Sequence, residues 1–254
     1  MTDMRFSRIR LLLGPEAVER LRRSFVVVAG LGAVGSYAVE ALARAGVGRL
    51  RLVDFDELRP SNINRQLLAL ESTLGRPKCE EARRRVLDIH PACRAEALKL
   101  FIEPATLDAV LEGPPDVLVD AIDSLSPKTS LLRGALERAV PVVSSMGAAL
   151  RTDPASVRVG KLSDVRTCPL AARVRERLRP LASSDRLRCV YSMEPCRDLT
   201  TKASSREEAD AGDELRNGRK RAALGSLPTL TGIFGLTAAN ETLRLLLGGR
   251  FPLP

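Results

Sequence analysis

The segment from Phe25 to Gly35 constrains this chain more than any other. Phe25-Val26-Val27-Val28-Ala29 is a short, continuous apolar run that ends in glycine, the pattern of a strand buried on both faces of a parallel sheet. Gly30-Leu31-Gly32-Ala33-Val34-Gly35 follows as G-x-G-x-x-G and opens a helix expected over residues 33–45. In that setting the glycines allow a tight turn and let phosphate oxygens approach backbone N–H groups at a helix N-terminus. Residues 50–53 read as the next strand, and Asp54 at its end stands where an acid hydrogen-bonds ribose hydroxyls. Together these features imply an adenosine-containing ligand, and they do not separate NAD from ATP.

The remaining pattern extends the same architecture. Pro77 opens a charged helix that runs to residue 89 and is stopped by Pro91. Strands are expected at residues 116–121 and 140–144, with a helix over 127–138 between them. This alternation predicts an α/β, doubly wound, mostly parallel Rossmann-like sheet with right-handed crossovers. Hydrophobic residues make up 44% of the chain and aromatics only 3%, with no Trp, so packing rests on Leu, Val and Ala, as a helix-covered sheet requires. After Gly147 the pattern changes: an antiparallel strand at 156–159, an Arg-rich helix at 169–178, a polar stretch at 195–221 expected to be a mobile loop, and a final helix at 229–247 ending at Gly248-Gly249. The chain therefore divides into a nucleotide-binding domain over 1–150 and a smaller antiparallel and helical extension over 151–254.

Three later segments choose between the nucleotides. Asp56 leads into Ser61-Asn62-Ile63-Asn64-Arg65-Gln66, then Gly75-Arg76-Pro77-Lys78, and later Asp120-Ala121-Ile122-Asp123-Ser124. Loops that follow the strands of such a sheet gather at its carboxyl edge, where ligands bind. A cation pair and an acid there have no role in hydride transfer. They suit attack on a phosphorus atom: Arg65 and Lys78 neutralise phosphate charge, and Asp123 holds a hard metal such as Mg2+ through oxygen. The expected chemistry is activation of a carboxylate by ATP as an acyl-adenylate.

Composition narrows the partners. The net charge of +9 comes mostly from arginine, which attracts polyanions and favours bidentate phosphate contact. Aromatics are too few for an extended base-stacking platform, so phosphate contacts and one base pocket are expected. The five cysteines, Cys79, Cys93, Cys168, Cys189 and Cys196, form no C-x-x-C pair, and His90 is the only histidine. Neither a disulfide framework nor a zinc ribbon is indicated. No signal peptide or membrane span is visible, since Asn240, Glu241 and Arg244 interrupt the most apolar late stretch; a cytoplasmic location is expected.

GLGAVGS, LVDFDEL, SNINRQ, GRPK and DAIDS resemble, in order and spacing, the ubiquitin-activating-enzyme-like (ThiF/MoeB-type) adenylyltransferases, and Arg5-Phe6-Ser7-Arg8 resembles an early arginine segment of that superfamily. The resemblance implies a homodimer in which Arg8 reaches the ATP of the neighbouring subunit. It also implies that Asp54 contacts ribose, Asn62 and Arg65 the nucleotide, Lys78 the phosphates and Asp123 the metal, with Asp56, Asn64 and Ser124 in the same motifs. Ala33 stands where many members have glycine; a methyl is tolerated there if the local φ is negative.

The later segments Pro127-Lys128, Ser145-Met146-Gly147-Ala148, Asp153-Pro154, Pro169-Leu170-Ala171, Cys189 to Glu194 and Phe234-Gly235 are similar to the tRNA threonylcarbamoyladenosine dehydratase branch. That resemblance implies ATP-dependent dehydration: the threonyl carboxylate of a modified adenosine in tRNA is adenylated, and an internal nucleophile displaces AMP and closes a ring. It leaves open a sulphur-transfer or electron partner. Three other readings stand beside it: an adenylyltransferase acting on the C-terminus of a ubiquitin-like or sulphur-carrier protein, a NAD-dependent oxidoreductase, and a non-catalytic scaffold. Cys168 is the best-placed cysteine for a thioester, against a small buried or helix-capping residue. Arg173, Arg175, Arg177, Arg179, Arg186 and Arg188, with Arg219-Lys220-Arg221, are candidates for tRNA phosphates, although alternating helical positions do not share one face.

Overall fold

β1 (Phe25–Ala29), an apolar run buried at every position, is the axis of the sheet. The structure, a computed structural model, describes residues 4–196, 224–248 and 251. β1 pairs in parallel with β2 (Arg49–Val53) on one side and β4 (Val117–Asp120) on the other. β3 (Arg94–Leu98) extends the sheet beyond β2, while β5 (Val142–Ser145) and β7 (Arg188–Ser192) extend it beyond β4, all in parallel. β6 (Val157–Lys161) completes that side antiparallel to β7, giving the order β3-β2-β1-β4-β5-β7-β6 among the described residues.

Helices cover both faces because β1 is apolar on both. Val26 and Val28 pack into one core with α2 (Pro15–Arg23), α3 (Gly35–Ala45), α4 (Lys78–Ile89) and α8 (Pro228–Leu247). Phe25, Val27 and Ala29 pack into a second core with α5 (Leu107–Leu111), α6 (Leu125–Glu137) and α7 (Pro169–Leu178). α1 (Ser7–Leu13) buries none of its residues. α8 lies so close to α3 that a Cβ on Gly235 would come within 2.3 Å of the Val34 carbonyl oxygen. No helix among the described residues is long and apolar enough to cross a membrane.

The doubly wound sheet and its helices match the expectation, with the Arg-rich helix at Pro169–Leu178 and the antiparallel strand at Val157–Lys161, starting one residue and ending two residues later than expected. Several elements were not anticipated. β3 is a partly exposed edge strand, Arg-Ala-Glu-Ala-Leu, and α1 and α2 are arginine-rich and broken by Gly14-Pro15. β6 and β7 enter the same sheet as β1 to β5, and α8 returns to α3, so the segments on either side of residue 150 interleave. Of the stretch expected as a mobile loop, residues 197–221 lie outside the described residues, and so do Arg219, Lys220 and Arg221.

The chain winds from β1 through β2 to β3, then crosses back to β4 on the other flank of β1. The carboxyl ends of β1 and β4 therefore border the topological switch point, the place where open α/β sheets form a ligand crevice.

Candidate active site

The glycine turn leaves β1 at that crevice. Gly30 has φ +84°, and a Cβ there would stand 2.8 Å from the Ala121 carbonyl oxygen and 3.1 Å from the Ile122 nitrogen. The Ala121-Ile122 peptide thus lies directly against the turn, two residues before Asp123. Gly35 begins α3, and a Cβ on it would meet the Gly30 carbonyl oxygen at 1.8 Å. Gly32 differs: a Cβ there would meet only the Gln66 side-chain amide, at 3.7 Å. No described residue requires Gly32 to lack a side chain, since 3.7 Å is ordinary van der Waals contact. Ala33 is not among the residues with positive φ, so its methyl is accommodated.

Asp54, at the end of β2, is buried and anchors the turn. Its Oδ2 accepts from the Leu31 N–H at 2.7 Å and its Oδ1 from the Asp56 N–H at 2.8 Å. Burial pushes its carboxyl above the usual range, opposed by the Lys78 ammonium and by these two N–H groups. Lys78 itself is buried, with Nζ 3.3 Å from Asp56 Oδ2. Backbone hydrogen bonds hold the two motifs together: the Leu58 N–H donates to Arg76 O, the Gly75 N–H to Leu58 O and the Lys78 N–H to Asp56 O. The GRPK segment is thereby zipped to the DFDEL segment, and this places the lysine beside Asp54.

The Asn62–Gln66 turn supplies a further wall. Asn62 is buried, and its Oδ1 accepts from the Arg59 N–H at 3.2 Å. Gln66 is buried and its Oε1 has no hydrogen-bond partner among the described residues, although its amide faces Gly32. Arg65 is turned back on its own loop, donating from Nη1 to Ser61 O at 2.8 Å and to Asn64 Oδ1 at 2.9 Å. Asp123 is exposed beyond β4, with its Oδ1 3.4 Å from Ser124 Oγ. Arg8 is exposed on α1, two residues from Phe6, whose ring lies against Gly46 just past the far end of α3. The turn therefore gathers Asp54, Gln66 and the strand-end peptide before Asp123, with Lys78 behind Asp54. Arg65 and Arg8 are not drawn into it.

Residues not singled out from the sequence brace this edge. Asp120 and Lys128 are both wholly buried, with Oδ2 and Nζ 2.6 Å apart. Lys128 Nζ also donates to Ile122 O at 3.0 Å and Ser145 O at 2.7 Å. Asp120 accepts from Ser144 Oγ at 2.6 Å and from the Ile122 N–H at 3.1 Å. The pair bolts the Ala121-Ile122 peptide to the end of β5. Arg151, almost wholly buried, donates to the carbonyls of Gly147, Ala149, Thr167 and Glu194 and so shapes the loop after β5. Asp120 and Lys128 lie in segments visible in the sequence, but nothing in residue type alone distinguishes a buried ion pair from a solvated one.

Cysteine and arginine candidates are also resolved. Cys168 is the buried N-cap of α7; its sulphur accepts from the Ala171 N–H at 3.4 Å and the Gly147 N–H at 3.3 Å. That is the capping role. Burial pushes the Cys93 thiol to about 11 and the Cys189 thiol to about 12, so neither offers a thiolate at neutral pH. Arg175 donates to Leu162 O and Val165 O, and Arg188 pairs with Glu241 at 2.7 Å. Both are spent on internal contacts, which corrects their place among the tRNA candidates.

Comparison with known proteins agrees with this fold. The family model described as "ThiF family" matches residues 6–252. The chain is 42% identical over 189 residues to the tRNA threonylcarbamoyladenosine dehydratase of Bacillus subtilis, covering 74% of each protein. The E. coli dehydratase TcdA in complex with AMP superposes with a TM-score of 0.84 at 28% identity, over 97% of this chain and 96% of that one. The same enzyme in complex with ATP gives 0.83 at 29% identity, with 97% and 96% covered. By sequence and by fold, the chain belongs to the ThiF family, among the tRNA threonylcarbamoyladenosine dehydratases.

Proposed function

We propose that this chain uses ATP to dehydrate threonylcarbamoyladenosine in tRNA through an acyl-adenylate. The observation that carries the reading is the cradle at Gly32: a residue kept small although no described residue crowds it, in the turn before a helix and facing the side-chain amide of buried Gln66, whose oxygen has no hydrogen-bond partner among the described residues. Phosphates fit the first feature and a hydroxyl or amine donor of a nucleoside fits the second.

The roles follow from placement. Backbone N–H groups of the 30–35 turn receive phosphate oxygens, and Asp54 holds the turn while standing at the ribose position. Lys78 offsets phosphate charge, and Arg65 joins it once its guanidinium leaves the Ser61 carbonyl. Asn62, Asn64, Asp56 and Ser124 frame the crevice. No group of three or more metal-ligating side chains occurs among the described residues. A magnesium ion held by Asp123 and phosphate oxygens fits that donor set, since magnesium commonly binds through one or two carboxylates plus phosphates; when bound it neutralises charge on the triphosphate. The threonyl carboxylate attacks the α-phosphorus, pyrophosphate leaves, and the internal nucleophile then displaces AMP. This second step is intramolecular and gains from proximity. Loss of water changes no oxidation state, so no sulphur-transfer or electron partner is required.

A homodimer completes the site in this reading. Leu11 and Leu12 on α1 are 79% and 75% exposed, an apolar face suited to a second copy. Phe6, two residues before Arg8, packs just past the far end of α3, a helix about 16 Å long, which favours Arg8 serving the neighbouring copy. Sedimentation should give twice the chain mass, and a monomer at working concentration would refute this part.

The function is tested by incubating the chain with ATP, magnesium and threonylcarbamoylated tRNA. AMP and a nucleoside one water lighter are expected, and D123A or K78A should lower turnover on the order of 10²–10³-fold. Unaltered tRNA after ATP is supplied would refute the reading.

A further inference from the structure

Outside the crevice, the surface most in need of an explanation is the exposed face shared by α6 and α7. Arg133 on α6 donates from Nη2 to the Arg177 carbonyl at 3.3 Å, at the C-terminal turn of α7. Arg177 donates from Nη1 to Ser126 Oγ at 3.1 Å. Both side chains are exposed, and no salt bridge to a carboxylate is formed by either among the described residues. A guanidinium has five N–H donors; each of these uses one. Arg173, one helical turn before Arg177 and also exposed, has no polar partner among the described residues. An open groove of about 410 Å³ runs beside them, lined by Arg133, Arg177, Thr129 and Ser130, with Glu137 at its rim. Glu176, next to Arg177 on α7, is also exposed, and Asp108 near the groove is paired with Arg138.

The position of this face matters more than its charge. Ser126, which Arg177 touches, lies in the first turn of α6, three residues after Asp123. The arginines therefore form a track that begins at the lip of the crevice and leads away from it over the α6–α7 layer. The track is arginine only, and arginine matches phosphate oxygens with paired donors. Too few aromatics are present for a stacking platform, so such a surface reads a backbone rather than bases.

We infer that Arg133, Arg173 and Arg177 hold the phosphodiester backbone of the RNA whose modified base enters the crevice. This rests on the dehydration reading for the identity of the RNA. The arginines position the substrate strand and take no part in the chemistry. Arg175, between them in sequence, is excluded because its guanidinium caps the carbonyls of Leu162 and Val165.

The test compares two charge reversals in the full chain: R133E/R177E on the track, and R83E/R94E at the β3 edge of the sheet, which alters net charge equally. Filter binding of a tRNA is measured between about 50 and 200 mM salt. R133E/R177E should bind at least about tenfold more weakly, with a salt slope shallower by about two, one for each lost phosphate contact. R83E/R94E should keep the parental slope. ATP binding should be unchanged in both variants, which separates a lost RNA surface from a damaged fold. Equal tRNA affinities and slopes for the two variants would overturn the inference. So would loss of polyglutamate binding with tRNA binding retained, because the face would then suit an acidic protein. If R133E/R177E alone loses tRNA while the parent forms no AMP with threonylcarbamoylated tRNA, the RNA surface stands and the dehydration reading falls.

Discussion

Gly32 and Gly35 lie three residues apart in one turn, and an added methyl meets different surroundings at each. At Gly35 it would collide with the Gly30 carbonyl; at Gly32 it would make only an ordinary contact with the Gln66 side-chain amide. G35A should therefore lower thermal stability markedly, whereas G32A should melt like the parent and bind ATP at least tenfold more weakly. Equal losses of stability in the two variants would mean that Gly32 serves packing and not a ligand. Lys128 gives a second contrast. Removing one partner of a buried ion pair costs about 3–5 kcal/mol, so K128M should lose that much in urea unfolding, and D120N/K128M should recover part of it. A loss under about 1 kcal/mol in K128M, within the range of an exposed pair, would show that the pair does not brace the fold.

At the scale of elements, α8 is attached by an ion cluster as well as by Gly235 packing. Glu241 lies between Arg188 on β7 and Arg244 on its own helix, at 2.7 Å and 2.6 Å. Burial alone would raise its carboxyl, but the Arg244 and Arg188 guanidinium groups outweigh that and hold it below the usual value of 4.5. A carboxyl whose pKa is depressed by folding contributes stability that is present above its unfolded pKa and is lost as pH falls through the folded one. Melting temperature should thus fall below about pH 4.5, and E241Q should be less stable at pH 7 yet show a smaller drop in acid. An unchanged pH profile in E241Q would remove Glu241 from this role.

Across the molecule, what the sequence made legible followed burial. β1 read as a strand from its continuous apolar run, β2, β4 and β5 read as strands within the alternation of strand and helix, and Pro169–Leu178 read as an Arg-rich helix. β3 and α1 escaped because one is a partly exposed edge strand and the other buries nothing. Within the candidate site, the glycine turn, Asp54 and Lys78 were legible because each has its position fixed by a short local pattern. Gln66 was visible only as a letter in SNINRQ; its burial and the approach of its amide to Gly32, far away in sequence, are tertiary features. The Asp120–Lys128 bolt and the internal use of Arg175 and Arg188 depend on tertiary contacts and could not be read from residue type.

The central claim is that a carboxylate oxygen of the substrate becomes part of an acyl phosphate before the ring closes. Threonylcarbamoylated tRNA bearing oxygen-18 in its threonyl carboxylate, incubated with the chain, ATP and magnesium, tests it directly. The acyl-adenylate route predicts AMP carrying one labelled oxygen and unlabelled pyrophosphate. Dehydrated product with unlabelled AMP, or label recovered in inorganic phosphate, would contradict it.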